Sequence, residues 1–195
     1  CGRPGQAAGR DGPVSIAQSI REAAQRLAAA SDTARLDAEV LMAHALGVSR
    51  SDLLLRHMAD PAPAAFAALV DRRLGHEPVA YITGTQEFFG LPFRVTPDVL
   101  IPRGDSEVLV ERALAARPDA RRVLDCGTGS GALLLAVMVN LPQASGTGMD
   151  RSPAALAIAA ANAEGLGLAG RATMACADWE QPGWADALGG PFDLI

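Results

Sequence analysis

Arg122-Val123-Leu124-Asp125-Cys126-Gly127-Thr128-Gly129-Ser130-Gly131 is the stretch on which the reading of this chain turns. Apolar residues of strand type run into an acid, then into glycines at alternate positions, then into an apolar helix from about Ala132. Glycine at such places lets the backbone turn sharply and lie against a ligand with no Cβ in the way. The following helix aims its free N–H groups and the positive end of its dipole back at the loop. The pattern predicts a nucleotide-type cofactor turn at the first strand–helix crossing of an α/β sheet.

The sequence after the loop supports this. A helix is expected over 131–140, a strand over 144–150, a helix over 153–164 led by Pro153, and a strand over 172–177. Phe192-Asp193-Leu194-Ile195 reads as the start of a fourth strand. Strands alternating with helices of this length imply a parallel, doubly wound sheet. Before the loop, Asp105 is the expected cap of a helix over 106–116, and residues 105–195 are read as one α/β unit.

Upstream the texture is helical. Ser15 and Gln18 form a capping-box pattern for a helix over 15–30. A second helix is expected over 33–46, capped by Asp32, with Leu36, Val40 and Leu41 inward and Gly47 as its stop. A short helix over 51–56 and another over 64–74, led by Pro63, complete a small bundle over 14–76. Residues 77–104 read as a linker, in which 87–95 forms a hairpin around Gly90. Phe88, Phe89 and Phe93 of that hairpin either seal it onto a domain surface or line a pocket. Residues 1–13, rich in Gly, Arg and Pro, predict disorder. A chain that begins with Cys1 rather than Met is expected to be trimmed or a fragment.

The 195 residues are 49% hydrophobic and 20% charged with a net charge of −5, a soluble-protein balance with none of the basic excess of a nucleic-acid binder. Cys1, Cys126 and Cys176 form no metal-ligand spacing, and free thiols suit a reducing cytoplasm. His44, His57 and His76 are scattered. No apolar run approaches a membrane span, and no export signal is evident.

The glycine loop alone fits a dinucleotide as well as other adenosyl cofactors. Asp150, at the end of the second strand, suits ribose hydroxyls; a helix cap is its bland alternative. Asp125 would repel a pyrophosphate but suits a cationic amine. Asp178-Trp179 after the third strand can hold an adenine, although Trp179 could equally be a core anchor. Ribose, adenine and an ammonium group without phosphate describe S-adenosyl-L-methionine. A nicotinamide-dependent enzyme is the rival.

Four blocks carry a family resemblance: Glu77-Pro78-Val79-Ala80-Tyr81-Ile82-Thr83-Gly84, Glu87-Phe88-Phe89-Gly90-Leu91, Leu100-Ile101-Pro102-Arg103-Gly104-Asp105-Ser106-Glu107, and Val123 to Gly131. With them the chain, from about residue 15 to residue 195, resembles the HemK-type protein-(glutamine-N5) methyltransferases that act on peptide chain release factors. The block around Pro102-Arg103 is the specific part. The resemblance implies a helical N-terminal substrate-recognition domain, a β-hairpin linker and a Rossmann-like class I S-adenosylmethionine-dependent methyltransferase domain. It implies cofactor contacts from the loop Gly127, Thr128, Gly129, Ser130 and Gly131, and from Asp150 and Trp179. Beside these, Asp125 and Asp178 are the residues read above for the amine and the adenine. The implied acceptor is the glutamine of the Gly-Gly-Gln motif of class I release factors, methylated on N5.

The family's substrate-gripping Asn-Pro-Pro-Tyr motif lies just after its fourth strand, and the sequence stops at Ile195. The 195-residue chain alone is therefore expected to be inactive, and no catalytic residue is named. Gly104 stands where the family commonly has proline. Phe89, Arg103 and Glu107 are candidates for shaping the substrate entrance; an Arg103–Glu107 ion pair is the structural alternative. The expected protein is monomeric and cytoplasmic, with no metal and no direct nucleic-acid or membrane partner. An adenine-N6 nucleic-acid methyltransferase and a non-catalytic cofactor-binding fragment are the competing readings.

Overall fold

The computed structural model describes residues 14–195, so the disorder expected of residues 1–13 lies outside the described residues. The chain divides into two compact units, up to Thr83 and from Gly84 onward.

The first unit is helical: α1 (Ile16–Leu27), α2 (Ala34–Leu46), α3 (Arg50–Asp52) running into a π-helical turn over Leu53–His57, α4 (Ala65–Leu74) and α5 (Val79–Thr83). Ser15 caps α1 by accepting from the Gln18 N–H, but the Gln18 side chain turns forward to Glu22 at 2.9 Å, so only half of the expected capping box forms. Ile16, Ile20, Ala23 and Leu27 pack one face of α1 against Leu41, Met42, Leu53, Phe66 and Val70. Gly47 ends α2 in the left-handed conformation, and its N–H reaches the carbonyls of Ala43 and His44.

Helix α2 departs from its expected orientation. Leu36 is exposed, while Asp37 and Glu39 are buried. Both carboxylates are paired. Asp37 binds Arg73 at 2.8 Å and accepts from the hydroxyls of Ser31 and Thr33, and Glu39 binds Arg35 and Arg50. The expected cap Asp32 is replaced by Thr33, which makes no side-chain cap bond, since its hydroxyl goes to Asp37. The segment Val79–Thr83, read as the start of a linker, is helical, and its Ile82 joins the core of the bundle.

The second unit opens with the hairpin β1 (Thr85–Phe88) and β2 (Leu91–Arg94), antiparallel, with Phe89 and Gly90 both at positive φ in the turn. Then come α6 (Glu107–Ala116), entered through a 3-10 turn over Gly104–Ser106, β3 (Arg122–Cys126), α7 (Ala132–Asn140), β4 (Ser145–Asp150), α8 (Pro153–Gly165) and β5 (Ala172–Cys176). The sheet is parallel in the order β3-β4-β5. Leu194 makes a single parallel bridge to Val123 on the other side of β3, where the start of a fourth strand is expected. The Asp193 carboxylate secures that edge by accepting from the N–H groups of Arg121 and Arg122.

Helix α7 is apolar all round, as a buried helix must be. It reaches the sheet because β4 carries Gly146, where any Cβ would press into Leu134 and Met138. Phe88 and Phe93 of the hairpin meet edge to face at 6.2 Å and are fully buried in the same core as Val123, Leu134, Leu135 and Met138. The hairpin is thus part of the α/β core.

Candidate active site

The candidate site lies at the carboxyl ends of β3, β4 and β5, the usual place for a ligand on an open parallel sheet. Three loops meet there: the glycine loop after β3, Asp150 at the end of β4, and Asp178-Trp179 after β5.

Gly127, Gly129 and Gly131 all take positive φ, a conformation that L side chains rarely adopt. The Gly127 and Thr128 N–H groups both donate to the Met149 carbonyl, at 2.7 and 2.9 Å, which pins the start of the loop to β4. Gly131 then leads into α7. The Trp179 ring lies 3.4 Å from where a Cβ on Gly127 would be, an ordinary contact, so it is the positive φ that calls for glycine there. Trp179 is 55% exposed, so the core-anchor alternative for it does not apply; its ring forms a wall over the loop.

The Asp150 carboxylate accepts from the Gly129 N–H at 3.0 Å through one oxygen and from the Ser152 N–H at 2.9 Å through the other. It therefore ties the loop to the start of α8, whose first turn is capped by the Ser152 hydroxyl. Asp178 accepts from the Glu180 N–H, a local turn that presents Trp179. Gly127, Asp150, Arg151, Ala177, Asp178, Trp179 and Glu180 enclose a cleft of about 350 Å³.

Asp125 is inside the loop's curve and receives the Thr128 hydroxyl at 2.8 Å. Burial pushes its carboxyl above the ordinary carboxylate range; the bonds from Thr128 and the Leu134 backbone oppose this, and the Asp150 charge adds to it. Burial, helped by the Asp125 charge, also pushes the Cys126 thiol up, so no thiolate nucleophile sits beside the loop.

On the other side of the loop, Gly127–Ser130 and Ala132 line a smaller cleft of about 140 Å³ with Phe88, Leu100, Ile101, Pro102, Arg103 and Ser106. The Ile-Pro-Arg block and the glycine loop are thus two walls of one opening. Leu100 is 77% exposed at its rim. Phe89 does not line this cleft; it sits at the hairpin turn, at φ 53°, and its N–H donates to Glu107 Oε1 at 2.7 Å. Among the described residues no ion pair joins Arg103 to Glu107. Glu107 holds the hairpin backbone instead, a role that a non-adjacent backbone partner hides from sequence reading. A third cleft of about 250 Å³, lined by Leu109, Val123, Leu133, Val137 and Leu194 among others, is apolar apart from Asp125, which is not among the lining residues of the other two clefts.

Among the described residues no group of His, Cys, Asp and Glu is placed to hold a metal ion, and no helix is long and apolar enough to cross a membrane.

Residues 18–84 match the PrmC N-terminal domain, and residues 118–195 match a methyltransferase domain. The chain is 45% identical over 175 residues to a release factor glutamine methyltransferase of Moorella thermoacetica, covering 87% of this chain and 62% of that protein. It is 43% identical over 191 residues to one of Bradyrhizobium diazoefficiens, covering 93% of this chain and 62% of the relative. The chain therefore spans about six-tenths of the length of these relatives. Among solved structures, a SAM-dependent methyltransferase from Agrobacterium tumefaciens is 21% identical over 56% of this chain and 38% of that one, with a TM-score of 0.45. A PrmC N-terminal domain thus stands ahead of a methyltransferase domain, and along most of its length the chain is similar to the release factor glutamine methyltransferases.

Proposed function

We propose that this protein methylates the side-chain amide nitrogen of the glutamine in the Gly-Gly-Gln motif of class I peptide chain release factors, with S-adenosyl-L-methionine as donor. The carrying observation is that one glycine loop forms a wall of two clefts, one under Trp179 and one against Pro102 and Arg103. A donor in the first and an acceptor in the second would meet at the loop. The names and identities of the relatives supply the acceptor class.

The residues fit the donor on three counts. Gly127 lets the exposed Trp179 ring pack over the start of the loop, an apolar surface against which an adenine can stack. Asp150 has accepted one backbone N–H on each oxygen, and a carboxylate has acceptor capacity beyond two bonds, which suits ribose hydroxyls. Asp125 is a half-buried carboxyl whose charge is poorly solvated, and a cationic amine would relieve it.

The donor supplies an electrophilic methyl group on a sulfonium. An amide nitrogen is a weak nucleophile because its lone pair is delocalised, so the protein's contribution is alignment and exclusion of water. Trp179, Asp150 and the loop orient the nucleoside end. Phe88, Ile101 and Pro102 give the second cleft dry walls, and Arg103 stands at its rim. No described residue is assigned to grip the acceptor amide, and none is called catalytic. We place Asp178 at the adenine edge, the helical unit in recognition of the release factor, and the protein in a reducing cytoplasm, where the free Cys126 and Cys176 are at home. The adenine-N6 reading draws no support from the relatives' names.

The test is methyl transfer from labelled cofactor to a release factor carrying Gly-Gly-Gln, by a protein of the relatives' length, with the Gln→Ala release factor as control. Label in the first and not in the second is expected. Label in both, or in an added oligonucleotide instead, would refute the acceptor assignment.

A further inference from the structure

Asn162 interrupts an otherwise apolar, alanine-rich stretch of α8, Leu156 to Ala163, and is 4% exposed. Asparagine is a poor choice for a helix interior unless its amide has work elsewhere. Here every bond joins it to a different element. Its Oδ1 accepts from the Arg94 N–H at 2.7 Å, and its Nδ2 donates to the Arg94 carbonyl at 3.0 Å and to the Ser130 carbonyl at 2.8 Å. Two carbonyls on one side and an N–H on the other fix which way the amide faces.

Arg94 ends β2, and Asn162 takes both of its backbone groups, as a neighbouring strand would. Ser130 belongs to the glycine loop and is itself buried. One carboxamide therefore joins the hairpin, the loop and α8. At the far end of the hairpin, Glu107 holds the Phe89 N–H. Between the two anchors lies Phe88, which shares the smaller cleft with Gly127–Ser130.

We infer that Asn162 is a positioning residue, which sets the glycine loop against the hairpin so that the donor side and the acceptor side of the loop stay in register. This rests on the reading of the loop as the cofactor turn. Asparagine is suited to the role because it offers donor and acceptor without charge. Aspartate, of nearly the same shape, would keep the bond from the Arg94 N–H but set a carboxylate against the carbonyls of Arg94 and Ser130.

The experiment compares Asn162→Asp and Asn162→Ser with the unaltered chain by amide hydrogen exchange and by calorimetric titration with S-adenosylmethionine. Ile158→Val, a conservative change on the same helix, controls for a general loss of stability. Exchange is expected to quicken roughly tenfold over 84–95 and 127–131, with β4 and β5 unchanged, and affinity to fall by a similar factor. Ile158→Val should leave affinity as it was. Uniform loss of protection, or wild-type protection of hairpin and loop in the serine variant, would overturn the inference. If the unaltered chain binds no S-adenosylmethionine, the cofactor reading fails, and the exchange pattern still decides the role of Asn162.

Discussion

At the scale of single residues, Asp125 shows a proposed cofactor residue at odds with local stability. Its carboxyl is pushed above the ordinary range, chiefly by burial, so the folded chain holds that proton to a higher pH than the unfolded chain does. The sign follows. As pH rises from the ordinary carboxylate range through the folded value of Asp125, the unliganded fold loses stability, and above that window the loss is complete. Asp125→Asn keeps the acceptor for the Thr128 hydroxyl and removes the charge. It is expected to melt a few degrees higher at neutral pH without ligand, and to bind S-adenosylmethionine at least about tenfold more weakly, close to 1.4 kcal/mol. Scanning calorimetry and titration on the same samples check both halves. A variant that gains stability and keeps wild-type affinity would remove Asp125 from the cofactor site.

At the scale of elements, the helical unit offers the sharper test, because its α2 buries charge. Asp37 would be raised by burial, yet the bonds from Arg73, Ser31 and Thr33 and the Arg73 charge bring it below the ordinary range. Its contribution is therefore present above the unfolded carboxylate range and lost as pH falls through the lowered value. Arg73→Met leaves the carboxylate buried with two hydroxyls and no cation, a loss of about 3 kcal/mol at pH 7 by urea unfolding. The gap to wild type should shrink as acid protonates Asp37. A loss within about 0.5 kcal/mol at pH 7 would place the pair among weak surface contacts. This pair also marks what the sequence could and could not tell. The apolar spacing of α1, the glycine after α2 and the glycines after β3 are local signals, and each appears where its chemistry requires. The orientation of α2 was illegible because Arg73 and Arg50 reach it from other helices, and carboxylates read as surface residues until their partners are known. Glu107 and Asn162 share that reason: each serves a backbone group far away in sequence. The half-formed capping box at Ser15 failed for a smaller one, since Glu22 competes for Gln18 one turn further on.

At the scale of the whole molecule, two separate cores imply two separate responses to a ligand. The bundle core is built from residues of α1, α2, α4, α5 and the turn at Leu53, and the α/β core from the hairpin, the sheet and its helices. The proposed cofactor residues all belong to the unit from Gly84 onward. A ligand that binds only the folded form stabilises it by mass action, about 2.7 kcal/mol at a hundred times its dissociation constant. That gain belongs to the unit that holds the site. With saturating S-adenosylmethionine, amide exchange is therefore expected to slow most in β3, β4, α7 and the loop 127–131, and to keep its unliganded rates in α1, α2 and α4. The comparison needs one sample and two conditions, with exchange followed by mass spectrometry on peptides from both units. Slowing of equal size in the helical unit would mean that the chain opens as one cooperative body, and the separation into two units would then hold for packing but not for stability. No slowing anywhere, at a concentration that saturates the longer relatives, would mean that the glycine loop, Trp179 and Asp150 do not by themselves make a cofactor site.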